Sequence, residues 1–146
     1  GFGRAAACDL RISSSTALFS IPAARLGLAY PADAMSDIVN ALGPQLAKYL
    51  AFSAARLDSS AALDAGFILE IVEPGGLDMR ATELAATIAA NAPLSVKASK
   101  ASIRAVQKSD DNERATALGD ATFDSADYAE GRTAFLQKRS PRFTGA

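Results

Sequence analysis

A chain of 146 residues, 49% of them hydrophobic, has the apolar material to bury a core, which excludes a disordered chain and sets an upper bound of one domain. Its 15 Lys and Arg against 16 Asp and Glu leave a formal net charge of -1, with no like-charge block of the kind that recruits nucleic acid. The absence of histidine removes Ser-His-Asp and Cys-His nucleophile activation and most zinc sites. One cysteine, Cys8, cannot build a disulfide framework and fits a reducing, cytoplasmic setting, and no apolar run nears the roughly 18 residues of a membrane helix.

Gly1 is neither an initiator methionine nor the head of a basic leader, so truncation at this end is expected. After a glycine turn, the small residues Ala5, Ala6, Ala7 and Cys8 predict a helix. Extended runs follow at Leu10-Arg11-Ile12 and Ala17-Leu18-Phe19, with the hydroxyl residues 13–16 as the turn between them. Pro22, Gly27 and Pro31 bracket a loop over 23–30, too interrupted for a long regular element and of the kind that carries sites. Met35, Ile38, Val39 and Leu42 recur at helical spacing, with Asp33 as the expected N-cap and Gly43 as the stop; Leu46, Tyr49, Leu50 and Ser53 continue the pattern after Pro44.

A capping cluster at Leu57-Asp58-Ser59-Ser60 opens a short helix that Gly66 closes, and 67–72 has the β-branched density of a buried strand. Leu77, Ala81, Leu84, Ala85 and Ile88 form one helical face after the Pro74-Gly75-Gly76 turn. Another helix starts near Pro93, and the chain reads as mostly helical to about Lys138. The result is an α/β class with strands in the first half and helices in the second.

Several motifs have two readings. Gly1-Phe2-Gly3 with Ala6 fits a loose dinucleotide-binding pattern but lacks the preceding strand and the acidic residue about 20 positions on that the pattern needs. The same glycines can present backbone N–H groups to an oxyanion, or serve tight packing alone. Cys8, among alanines, is expected to be a buried inert thiol, and Asp9 to satisfy backbone donors at a junction. Lys97, Lys100, Arg104 and Lys108 share a helical face, either solvated or in contact with phosphate. Phe135, Lys138 and Arg139 combine a stacking ring with cations, suited to a nucleotide headgroup or to simple packing.

Read in order, Gly1 to Ile12, Ala17-Leu18-Phe19-Ser20-Ile21-Pro22, Leu26-Gly27-Leu28, the helix from Leu57 to Gly66 and the segment Asp127 to Arg139 resemble the enoyl-CoA hydratase/isomerase (crotonase) family over essentially the whole chain. The resemblance implies the C-terminal portion of a crotonase-like spiral of ββα units. On this reading 1–76 close the α/β core and 77–146 form a helical trimerisation region, giving trimers or hexamers with the N-terminal half of the same protein completing each subunit. It implies an acyl-CoA thioester as substrate, with coenzyme A part of that substrate and no separate cofactor or metal. Two backbone N–H groups would form the oxyanion hole, one from the N-terminal half and one just before Gly1, so that the segment alone is expected to be inactive.

The same resemblance puts substrate contacts at Gly1, Gly3, Pro22, Ala23, Leu28 and Pro31, and contacts to the CoA nucleotide of a neighbouring subunit at Phe135 and Lys138. The glutamates with which the family's hydratases activate water fall at Gly3 and Ala23 in this chain. Tyr30 and Asp33 are the nearest polar candidates for catalysis, Asp33 also being read as a cap. The expected function is stabilisation of a thioester enolate with an atypical acid-base set; the alternative is a non-catalytic acyl-CoA-binding or oligomerising module.

Overall fold

The computed structural model describes residues 1–108 and 111–146, and its α/β character follows the expected division, short strands first and helices after. Two compact units divide the chain, Gly1–Ala81 and Thr82–Ala146. The first contains α1 (Phe2–Ala6), β1 (Ser13–Ser14), β2 (Leu18–Ser20), a 3-10 helix (Pro22–Leu26), α2 (Ala32–Leu42), α3 (Pro44–Ser53), β3 (Arg56–Asp58), α4 (Ser59–Asp64) and β4 (Ile71–Val72). α5 (Leu77–Ala89) follows, and the second unit holds α6 (Pro93–Lys108), α7 (Asn112–Phe123) and α8 (Ala126–Leu136).

A five-residue helix such as α1 cannot sustain itself in water, so tertiary contacts must hold it. Phe2 and Ala6 are buried, and Arg11 serves the far end of the helix. The Arg11 guanidinium donates to the carbonyls of Ala5, Ala6 and Cys8, and through Nε to the Phe67 carbonyl. It also lies 5.0 Å from the Phe67 ring centroid. Burial lowers the Arg11 pKa, and its electrostatic interactions with the neighbouring Cys8 and Asp9 oppose the shift.

The strands are displaced from their expected places. β1 pairs with β4 in parallel, Ser13 opposite Ile71, and the ladder begins earlier where the Leu69 N–H donates to the Arg11 carbonyl at 2.8 Å. Leu10-Arg11-Ile12 is therefore an approach to the strand, and Ser13 and Ser14, expected in a turn, form it. The strand expected over 67–72 shortens to Ile71–Val72 because the N–H groups of Phe67 and Ile68 donate back to the Ala62 carbonyl, at 2.9 and 3.4 Å, in the turn that leaves α4. β2 and β3 form a separate antiparallel pair with Phe19 opposite Leu57.

Caps set the helix ends. Asp58 Oδ1 accepts the Ala61 N–H at 2.8 Å to open α4, and Gly66, at φ 69°, takes the left-handed turn beyond it. Ser59, 2% exposed, places its hydroxyl 2.7 Å from the Ser14 carbonyl and 3.2 Å from that of Ala17, fastening the β1–β2 turn to α4. The core of this unit is centred on Ile21, Ile38, Leu50 and Phe67. Phe67 stacks on Phe2 at 5.2 Å and meets Phe19 edge-on at 5.2 Å.

In the second unit α6 packs on α7, and among the described residues the buried side chains on these helices are alanines, Ala98 and Ala105 on α6 and Ala115 on α7. The apolar face expected on α5 forms as a helix but does not bury itself: Leu84 and Ile88 are half-buried, and Leu77, Ala81 and Ala85 are exposed. No helix among the described residues is long and apolar enough to cross a membrane.

Candidate functional site

The residues of the expected site in the first unit hang from one apolar cluster. Phe2 anchors α1, Ala23 anchors the 3-10 helix, and Tyr30 packs on the same cluster just ahead of α2. α1 rests against α2, and the 3-10 helix against α3. The expected loop over 23–30 is thus a single 3-10 turn that ends at Gly27, whose φ of 68° reverses the chain so that the Leu28 N–H reaches the Ala23 carbonyl at 3.1 Å. The reversal leaves Leu26 and Leu28 more than half exposed, 68% and 54%, so the leucine-glycine-leucine loop offers apolar surface.

Gly3 occupies the second position of α1. It has no positive φ, and a Cβ added there meets no atom within 4 Å. Neither backbone strain nor crowding explains a glycine at this place. Ala23 differs, being 6% exposed. Gly1, Pro22 and Pro31 lie at the surface around these elements. Asp33 does not cap α2 through the N-cap position: Pro31 sits there, its carbonyl accepting the Met35 N–H at 3.0 Å, and Asp33 in the first turn accepts the Ala34 N–H at 2.8 Å. Its carboxylate is exposed and favourably placed at the helix start. Cys8, expected to be buried, is exposed, because α1 ends at Ala6 and the thiol falls in the following turn with Sγ 3.3 Å from the Arg4 carbonyl.

The second unit carries the expected nucleotide contacts. Phe135 lies on the last turn of α8 and is 83% exposed; Lys138, expected on the helix, is instead in the left-handed turn that ends it, at φ 52°. That corner is tied to the segment that follows. Glu130 receives both Arg139 Nη groups, at 2.6 and 2.8 Å, and the Arg142 N–H at 2.9 Å. These bonds hold the Glu130 carboxyl down from its usual 4.5 to about 2 and raise the Arg139 pKa. Asp127, 3% exposed, accepts the N–H groups of Thr144 and Gly145 at 2.6 and 2.9 Å, and the Phe143 ring lies over Gly131, 3.6 Å from where a Cβ would sit, an ordinary contact distance.

The corner's composition is visible in the sequence but its fastening is not, since an acidic residue nine positions before an arginine has no recognisable period. Of the cationic stripe, Lys97, Lys100 and Arg104 line a cavity of about 320 Å³ with Arg114 and Asp111. The side chain of Lys108 lies outside the described residues. Among the described residues no three carboxylate or thiol groups gather to hold a metal ion.

This geometry can be set beside known proteins. The family model described as enoyl-CoA hydratase/isomerase matches residues 1–146. A methylmalonyl-CoA decarboxylase of Escherichia coli is 33% identical over 142 residues, which cover 94% of this chain and 54% of that protein. A short-chain-enoyl-CoA hydratase of Clostridium acetobutylicum is 36% identical over 139 residues, 92% of this chain and 53% of the relative. Among solved structures, an enoyl-CoA hydratase/isomerase family protein from Hyphomonas neptunium superposes with a TM-score of 0.88 at 34% identity, over 97% of this chain and 55% of that one. The chain therefore spans about half the length of the relatives it matches. With the family model matching along its whole length, the chain belongs to the enoyl-CoA hydratase/isomerase family.

Proposed function

We propose that the full-length protein is an acyl-CoA enzyme that stabilises a thioester enolate in an oxyanion hole and does so without the hydratases' glutamate pair. The observation that carries this reading is the pair Gly3 and Ala23, which provide no group able to move a proton in a chain that otherwise keeps the family pattern throughout. Gly1, Gly3, Pro22, Ala23, Leu28 and Pro31 surround the acyl end. Phe135 and Lys138 grip the nucleotide end of CoA in a neighbouring subunit. Tyr30, half-buried against the core beside the loop, and Asp33 are the remaining polar groups for proton delivery. Coenzyme A belongs to the substrate, and the protein works as a trimer or hexamer in the cytoplasm, each subunit completed by its own N-terminal half. The uncovered apolar face of α5 and the exposed Phe135 and Leu136 support such an assembly.

Within this reading a lyase step is favoured over water addition. Loss of carbon dioxide from an acyl-CoA bearing a carboxylate beside the thioester yields the enolate directly, the C–C electron pair passing to the thioester carbonyl, so no base is required. The relationship to a methylmalonyl-CoA decarboxylase and the absence of side-chain bases at residues 3 and 23 both support it. Full-length protein supplied with methylmalonyl-CoA and with crotonyl-CoA distinguishes the reactions: carbon dioxide release from the first, with little hydration of the second, is expected. Turnover of neither thioester, with CoA still bound, would leave the non-catalytic binding module in its place.

A further inference from the structure

The exposed Phe135 and the cation Lys138 sit at the corner that ends α8. Lys138 has a φ of 52°, a left-handed conformation that crowds its Cβ against the backbone. Local bonds close the helix end: the N–H groups of Gln137, Lys138 and Arg139 donate to the carbonyls of Thr133, Phe135 and Ala134, at 3.0, 3.2 and 3.1 Å. One side-chain pair then ties the residue after the corner to the body of α8, the two-point bond from Arg139 to Glu130, with Gln137 Oε1 accepting from Arg139 Nε at 2.8 Å. The segment beyond is anchored separately, by Asp127 to Thr144 and Gly145 and by the Phe143 ring over Gly131. Phe143 supplies that packing, and Phe135 stays 83% exposed beside a cation in a strained turn.

We propose that Glu130 and Arg139 are positioning residues, their paired bond holding the Phe135 and Lys138 corner in the one shape that receives the nucleotide end of CoA. The inference rests on the assignment of Phe135 and Lys138 to that end of the substrate. It separates the two acids of α8: Asp127 holds the terminal segment, and Glu130 holds the corner. Arg139 cannot be replaced by lysine without loss, because an ammonium makes one contact where the guanidinium makes two.

The test uses the full-length protein and calorimetry with two probes, coenzyme A and an acyl-pantetheine thioester that lacks the nucleotide. Phe135→Ala and Lys138→Met report on the underlying assignment, Glu130→Gln and Arg139→Lys on the clasp; the last keeps the charge and guards against a simple folding failure. Glu130→Gln is expected to weaken coenzyme A binding about tenfold and Arg139→Lys by a smaller factor, with acyl-pantetheine binding and sedimentation unchanged. If Phe135→Ala weakens coenzyme A binding and both clasp variants bind it as wild type does, the positioning role is overturned while the assignment stands. If Phe135→Ala and Lys138→Met also bind as wild type does, the assignment itself fails and the inference with it. Equal losses for both probes in the clasp variants make the pair a general structural element and likewise overturn the proposal.

Discussion

Replacing Gly3 and Ala23 by glutamate should affect stability in opposite directions, for reasons visible in the structure. Gly3 lies in the first turn of α1 with no positive φ and open space where a Cβ would be. Glutamate there recovers about 0.5–1 kcal/mol of helix propensity. It also gains about 0.3–1 kcal/mol from a negative charge near a helix N-terminus. Gly3→Glu should therefore raise stability by roughly 1–2 kcal/mol, or about 2–4 °C in melting temperature for a protein of its relatives' length. Ala23 is 6% exposed within the apolar cluster, so Ala23→Glu buries a carboxylate and should cost several kcal/mol unless the group stays protonated. Thermal unfolding of both full-length variants followed by circular dichroism reads the two signs. If the double variant folds, hydration of crotonyl-CoA should rise about 100-fold or more over wild type, the scale of one positioned acid-base group. A Gly3→Glu protein that melts below wild type would refute the claim that this position is open. An Ala23→Glu protein that melts with wild type would refute the burial argument.

The aromatic trio gives a second test. Phe67→Ala, removing a ring that is 1% exposed and in contact with Phe2, Phe19 and Arg11, should cost about 3–5 kcal/mol in urea unfolding, and Phe67→Leu distinctly less. Loss of the α4 cap in Asp58→Ala should cost about 1 kcal/mol, measured the same way. The pH dependence of the α8 clasp follows from Glu130, whose pKa in the folded protein is depressed. Its stabilisation is complete above the ordinary value of 4.5 and is lost as pH falls towards about 2, so protection of the Arg142 amide in hydrogen exchange should decline across that window. Protection that persists unchanged to the bottom of the window would disprove it. In Asp127→Asn the buried side chain keeps one carbonyl acceptor for the N–H groups of Thr144 and Gly145 and loses its charge, and about 1–3 kcal/mol should be lost, with Thr144 and Gly145 exchanging faster.

Local chemistry was legible in the sequence where it acts over a few residues. Gly43 and Gly66 end helices by adopting φ values of 76° and 69°, Asp58 caps α4, and the apolar period from Met35 to Leu42 makes α2, each decided by neighbours in the chain. The order of motifs along the chain likewise carries the family resemblance by itself. Pairing and burial were not legible in the same way. Ser13 and Ser14 form a strand because residues 69–72 offer them a parallel partner some 60 positions away, while Leu10 to Ile12, richer in strand formers, only approach it. Cys8 looked buried by its alanine company and is exposed because α1 stops at Ala6, where Arg11 closes the helix end.

The candidate site divides along the same line. Which positions lack a proton-transfer group is a property of the sequence alone, since Gly3 and Ala23 have no side chain that can do the work wherever they lie. That one of these positions is open and the other buried is a property of the packed structure, set by how α1 and the 3-10 helix share a core. The corner at Phe135 and Lys138 was visible as composition. Only the folded chain shows the left-handed lysine, closed by backbone bonds at the end of α8, and the tie from Glu130 to Arg139 beside it, because neither a turn conformation nor a contact nine residues apart leaves a period in the sequence.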